Sequence, residues 1–282
     1  MAPFFAIFML LVGYWNMKIT ALLALLPLSG LIASADFIEK TISYELDGVQ
    51  FEGTVIYDSD EADEALPGIL MVPNWMGPSE NAFEKARMIA DDEFVVFVAD
   101  MYGVDVRPAN SGEAGEAAGT VRADRAMMRA RAQKAVEVFH GLANDHPING
   151  DKMIAIGFCF GGGTVLELAR SGIESIEGVV SFHGDLMSPT LAEDTDEIQI
   201  PVLVLHGADD PYVPQEDVQA FVEAMKSAEV DDWTLVQFGG AVHSFTNPEA
   251  DSEGSRYHAR TAERAFEMME EFAEEVLDLD DD

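Results

Sequence analysis

The one cysteine of the chain, Cys159, stands in Lys152-Met153-Ile154-Ala155-Ile156-Gly157-Phe158-Cys159-Phe160-Gly161-Gly162-Gly163-Thr164. An apolar run of strand length enters this turn, and residues 164–170 leave it with a helix-like pattern. A nucleophile held on a sharp strand-to-helix turn needs neighbours without a Cβ, so that the backbones can approach closely. The paired glycines meet that need. The same geometry sets the thiol at a helix N-terminus, where unpaired N–H groups and the helix dipole favour a thiolate. A buried cysteine is ordinarily structural, but a lone cysteine between glycines at a strand end reads as a nucleophile.

Such a thiol needs a base, and the base an orienter. Both occur further along the chain. His206-Gly207-Ala208-Asp209-Asp210-Pro211-Tyr212-Val213-Pro214 sets carboxylates after an apolar strand-like run, with Asp210 preferred and Asp209 its competitor. Phe238-Gly239-Gly240-Ala241-Val242-His243-Ser244-Phe245 sets a histidine after another. The order is nucleophile, acid, histidine: Cys159, Asp210, His243.

The rest of the chain must position these three. Residues 37–46 and 49–57 alternate as two antiparallel strands turned at Asp47-Gly48, and 58–67 is polar loop. Residues 68–73, 94–100, 176–182, 200–205 and 233–238 are further strands, several of them near-continuously apolar, as only a sheet covered on both faces accommodates. Ser79 is an N-cap for a helix to about residue 91, with Asn81, Glu84 and Lys85 on its polar face and Phe83, Ala86 and Ile89 on the other. Residues 101–119 form an irregular Gly-rich stretch, and a long helix follows from about Thr120 through Met127, Met128, Ala132, Val136 and Phe139. Residues 214–228 make a helix. An amphipathic helix over about 255–277 closes the chain, its buried stripe being Ala262, Ala265, Phe266, Met269 and Phe272. Alternating strands and helices predict one doubly wound α/β domain with a mostly parallel sheet, whose chemistry lies at the carboxyl ends of the strands.

Residues 17–35, running from Met17-Lys18 through an apolar core to Ala33-Ser34-Ala35, predict a secretory signal peptide cut before Asp36. Residues 1–16 carry no charge, so Met17 is the expected start. A membrane anchor over about residues 3–32 is disfavoured, because Asn16, Lys18, Pro27 and Ser29 interrupt a span that needs about 20 apolar residues. The expected location is periplasmic or secreted, without membrane attachment after cleavage. With one cysteine no internal disulfide forms, so the fold stands on packing. The net charge of −36 opposes nucleic acid and anionic lipid. Its spread of acids fits a saline exterior or an ordinary solvated surface.

In combination, the Gly-Phe-Cys-Phe-Gly-Gly turn, His206-Gly-x-x-Asp210-x-x-Val213-Pro214 and Gly240-Ala-Val-His243-Ser-Phe-Thr-Asn-Pro248 resemble the dienelactone hydrolase family of the α/β-hydrolase fold. The resemblance runs from Gly68 to the last helix and implies one such domain over residues 36–282. It implies that His243 takes the Cys159 proton or already holds it, that Asp210 fixes the imidazole, and that the thiolate attacks an ester or lactone to give a thioester. The backbone N–H groups of Phe160 and Trp75 are then the oxyanion donors. Family members acting on dienelactone carry a glutamate where this chain has Asn74, and a substrate-clamping arginine where it has Asn247; a second clamp arginine corresponds to Arg122 or Arg125. These departures favour a neutral ester or lactone, and they favour a resting Cys159–His243 ion pair.

Met76 and Trp75 line the acyl pocket or pack beside the oxyanion turn. His183 lines the pocket or holds a structural hydrogen bond, while His206 closes the turn that presents Asp210. His140, His146 and His258 read as surface positions. No His/Asp/Glu cluster has metal-ligand spacing, and Gly161-Gly162-Gly163 lacks the lysine of a phosphate loop. No metal, nucleotide or other cofactor is expected. Two rival readings use the same fold: acyl transfer or thioester hydrolysis by the same three residues, and a binding module without catalysis. The oligomeric state is open.

Overall fold

The computed structural model describes residues 36–60, 65–91 and 93–279. The N-terminal extension and the signal peptide expected over residues 17–35 lie outside them. Strands β1 (Phe37–Leu46) and β2 (Val49–Asp58) form the expected hairpin, in antiparallel register from Phe37 opposite Asp58 to Leu46 opposite Val49. Asp47 and Gly48 both take positive φ, 51° and 80°, as a tight hairpin turn of matching twist requires. Strand β2 then pairs antiparallel with β4 (Val95–Val98), and from β4 onward every pairing is parallel: β3 (Leu66–Val72), β5 (Ile148–Phe158), β6 (Gly178–Phe182), β7 (Val202–Gly207) and β8 (Trp233–Phe238). The sheet order is β1-β2-β4-β3-β5-β6-β7-β8. All residues of β4, β6 and β7 are buried, which explains their unbroken apolar sequence.

Alternate side chains feed two cores. On one face Leu70, Phe97, Ala155 and Val204 pack with the helices α3 (Arg125–Gly141), α4 (Phe160–Ala169) and α6 (Gln215–Ser227). On the other, Ile69, Val96, Ile156 and Leu205 pack with α1 (Glu80–Ala90) and α7 (Ala259–Val276). This is the doubly wound arrangement of the α/β-hydrolase fold. Among the described residues no helix is long and apolar enough to cross a membrane.

Three expectations are corrected. The Gly-rich stretch holds a helix, α2 (Ser111–Ala123), capped by Asn110, whose Oδ1 accepts from the N–H groups of Gly112 and Glu113. Its alanines Ala114, Ala117 and Ala118 are buried, so the glycines hid a small-residue packing face. Asp124 ends α2 and caps α3 through the Met127 N–H, which splits the long helix expected from Thr120. The closing helix starts at Ala259 because Ser255 and Arg256 are spent on bridges to His243 and Asp251.

Helix α4 carries a buried ion cluster that fixes it to α3. Glu167 accepts from Arg129 Nε at 2.9 Å and Nη2 at 2.6 Å, and from Arg170 Nη1 at 3.0 Å; the Arg170 and Glu167 side chains are each 1% exposed. Asp194, in the short helix α5 (Leu191–Asp194), also binds Arg129. Removing Glu167 leaves the buried Arg170 without its ion-pair partner, while Arg129 keeps Asp194. Glu167→Ala is therefore expected to lower unfolding free energy by about 3–5 kcal/mol, read from the denaturant midpoint. A midpoint shift worth under about 1 kcal/mol would show the cluster to be solvent-screened.

Candidate active site

Strand β5 delivers Cys159 at its carboxyl end, and the residue adopts φ 55° and ψ −113°, a left-handed conformation that a non-glycine residue holds only under constraint. The constraint is visible: the Cys159 N–H donates to the Phe182 carbonyl at 3.0 Å, and α4 begins at the next residue. A Cβ on Gly161 would stand 2.0 Å from the Val72 carbonyl oxygen, and one on Gly157 2.1 Å from that of Gly161. Both contacts are with backbone and cannot be relieved by a rotamer change. The glycine pattern around the cysteine is thus a packing requirement of the turn that presents it.

His243 follows β8, and its Nδ1 lies 2.7 Å from Oδ2 of Asp210, which follows β7 and whose side chain is fully buried. The other Asp210 oxygen accepts the Tyr212 N–H at 2.8 Å, so the carboxylate is held from two sides. Asp209 is exposed and takes no part, which resolves the competition between the two acids. His243 also interacts with the Cys159 thiol. Burial pushes the Cys159 thiol up, but the hydrogen bond and charge of His243, the Arg122 charge and the Phe160 N–H together bring it below its ordinary value. Burial pushes the imidazole down; the hydrogen bonds to Asp210 and Cys159 and their charges outweigh this and raise it to about 10. Both shifts favour the thiolate–imidazolium pair.

The turn after β3 lies beside the thiol and is held by three hydrogen bonds. The Asn74 carbonyl accepts from the Gly77 N–H at 2.9 Å, the Met76 N–H donates to Asn74 Oδ1 at 2.9 Å, and the Trp75 carbonyl accepts from the Tyr102 hydroxyl at 2.9 Å. These three bonds lock the peptide planes around Trp75, whose own N–H has no partner among the described residues. The Phe160 N–H faces the thiol. Two backbone donors fixed in this way can receive charge developing on a carbonyl oxygen.

Cys159 and His243 open into a cavity of about 510 Å³ whose wall includes Asn74, Trp75, Met76, Asn247, Arg122 and Tyr212. Of the two arginines considered from the sequence, Arg122 lines this cavity, its guanidinium 5.5 Å over the Phe160 ring. Arg125 is turned away, donating to the Met187 carbonyl at 3.3 Å and lying 3.7 Å from Asp185.

His183 requires correction as a candidate substrate contact. It is 2% exposed and outside the cavity wall, edge-on to the His243 ring at 5.0 Å, with Nε2 3.0 Å from Thr246 Oγ1. Position after β6 marked it as near the site, but the stacking of consecutive strand ends sets it behind His243. His206 is buried near the end of β7, in the strand and not in the turn that presents Asp210. His140, His146 and His258 are partly exposed, as expected of surface positions, and each has a neighbour: His140 bonds the Ser175 carbonyl, His258 bonds Thr261 Oγ1, and His146 packs against Tyr57. Tyr212 escaped the sequence reading; it is 64% exposed and meets His243 edge-on at 5.2 Å, although its place two residues after the acid was a usable signal. Among the described residues no group of three His, Cys, Asp or Glu could hold a metal ion.

A parallel sheet with β1 and β2 antiparallel at one edge, a nucleophile turn after β5, an acid after β7 and a histidine after β8 define an α/β-hydrolase. Comparison with known proteins narrows this. The model of the dienelactone hydrolase family matches residues 53–277, and the chain belongs to that family of hydrolases acting on esters and lactones. A dienelactone hydrolase-like promiscuous phosphotriesterase from metagenomic libraries is 34% identical, with TM-score 0.77 over 86% of this chain and 99% of that one. An uncharacterised protein of Caenorhabditis elegans is 35% identical over 137 residues, 46% of this chain and 84% of that protein. A candidate carboxymethylenebutenolidase of Escherichia coli strain K12 is 24% identical over 221 residues, 75% of this chain and 78% of that protein.

Proposed function

We propose that this hydrolase cleaves neutral carboxylic esters or lactones through a Cys159–His243–Asp210 triad and a thioester intermediate. The observation that carries the reading is the buried Asp210 carboxylate on His243 Nδ1, with the imidazole coupled in turn to a thiol held at positive φ. The thiolate attacks the carbonyl carbon while the Phe160 and Trp75 N–H groups receive the oxyanion. As the tetrahedral adduct collapses, the imidazolium gives its proton to the departing alkoxide. Neutral His243 then takes a proton from water, hydroxide adds to the thioester, and the acid leaves as the thiolate is restored.

Neutral substrates are favoured by charge. The cavity wall sets Arg122 against Asp185 and Glu249, and Asn247 occupies the position of the other clamp. A substrate carboxylate would meet no net positive well. For matched lactones differing only in a carboxylate, kcat/KM for the neutral one is expected to be larger by about tenfold, the worth of one exposed charge contact. Preference for the anionic lactone would overturn this part of the reading. A neutral phosphotriester belongs in the same assay, because the 34% identical relative is described as a promiscuous phosphotriesterase. Export to the periplasm or medium, read from residues 17–35, is also part of the proposal, and the N-terminal mass of the protein from expressing cells tests it: Asp36 at the terminus supports cleavage, and residues 17–35 retained oppose it.

A further inference from the structure

Helix α1 presents Asn81 and Lys85 one turn apart, and both grip the loop that follows His243. Asn81 Nδ2 donates to Asn247 Oδ1 at 3.1 Å, and Lys85 Nζ donates to the Thr246 carbonyl at 3.0 Å, with Thr246 Oγ1 at 3.5 Å. The polar face of this helix is thus folded against the active-site loop. The same ammonium lies 4.5 Å from the centroid of Phe158, the residue immediately before Cys159. Among the described residues Lys85 forms no ion pair, and burial alone draws its pKa down to about 8. Half-burying an ammonium that has no counter-ion is costly, and a position that bears such a cost points to a constraint beyond stability.

The contacts lead to the histidine. Thr246 Oγ1 bonds His183 Nε2 at 3.0 Å, and the His183 ring is wedged between Phe245 at 5.1 Å and His243 at 5.0 Å. His183 is itself held by its N–H to the Leu205 carbonyl at 2.8 Å. We infer that Lys85 is a positioning residue for the reaction: it ties the His243 loop, through Thr246 and His183, to the Phe158–Cys159 elbow and so sets the imidazole against the thiol. One amine contacts both the segment before the nucleophile and the loop after the base. Losing it frees the ring to move by fractions of an ångström, which lowers turnover more than substrate affinity.

This inference rests on the Cys159–His243 reading, and its test separates the two. The wild type, Lys85→Met, Thr246→Val and Thr246→Ser are compared well below their melting temperatures, by p-nitrophenyl acetate kinetics and by the pH profile of Cys159 alkylation with iodoacetamide. Lys85→Met and Thr246→Val are each expected to lower kcat about tenfold with KM within about twofold, and to move the alkylation midpoint up toward that of a free thiol. Thr246→Ser, which keeps the hydroxyl, is expected to behave as wild type. If Lys85→Met fails to fold, the Thr246 pair decides. Unchanged kcat and an unchanged alkylation midpoint in Lys85→Met, or in Thr246→Val where that pair decides, would overturn the role of Lys85 while a low wild-type midpoint leaves the triad standing. A wild-type midpoint equal to that of a free thiol would instead overturn the ion pair, and the inference with it.

Discussion

Replacement of Cys159 by alanine is expected to lower kcat for p-nitrophenyl acetate by about 10⁵-fold, leaving a residue of activity that the oxyanion donors and the cavity supply. The size follows from what is removed. Without sulfur the covalent route is closed, and only water activated by His243 remains to attack. The fold should survive, because alanine is no worse than cysteine at φ 55° and the surrounding bonds are made by backbone atoms. An unchanged melting temperature would separate lost chemistry from lost structure. Cys159→Ser is expected to stay nearly as inactive: a hydroxyl beside this imidazole does not ionise, so the resting ion pair that drives attack is lost. Alanine variant activity within tenfold of wild type would remove Cys159 from the reaction altogether.

The parts legible in the sequence and the parts that were not divide along a physical line. Cys159, Asp210 and His243 could be read because each follows a short apolar run, and parallel strands bring their carboxyl ends to one edge whatever their separation in the chain. The glycines could be read because close backbone approach leaves a compositional mark, and contacts of 2.0 and 2.1 Å show how strict it is. Helix α2 could not, since Gly112, Gly115 and Gly119 obscure a periodicity carried by three alanines and Val121. The role of Lys85 was out of reach for a related reason. Hydrophobic periodicity reports which face is apolar, and it does not report that a polar face is covered by a loop 161 residues away. His183 stood between these cases: its place after β6 was correct, while its direction, away from the cavity and against His243, depends on a positive φ of 39° that no composition signals.

The acid has the second largest effect, and its removal should change the shape of the pH profile as well as its height. In the wild type, kcat/KM is expected to rise on the acid side as the Cys159 thiol, held below its ordinary value, loses its proton. It falls on the alkaline side as His243, raised to about 10, loses the proton needed by the leaving group. The plateau lies between these limbs, where the ion pair is intact. Asp210→Asn keeps the volume but removes the carboxylate that accepts from Nδ1 at 2.7 Å. His243 then titrates lower and the alkaline limb moves to lower pH. With less imidazolium beside it, the thiol titrates higher and the acid limb moves to higher pH. The bell narrows from both sides, and its summit is expected to fall by about 10³–10⁴-fold, because an amide can also donate to Nδ1 and hold the ring in the wrong tautomer. Measuring kcat/KM from pH 5 to 11 for both proteins checks the argument. A variant with a lower summit and unmoved limbs would mean that Asp210 orients the ring without supporting its charge, and the thiolate would then owe its existence to the helix terminus, Arg122 and the Phe160 N–H rather than to the imidazolium.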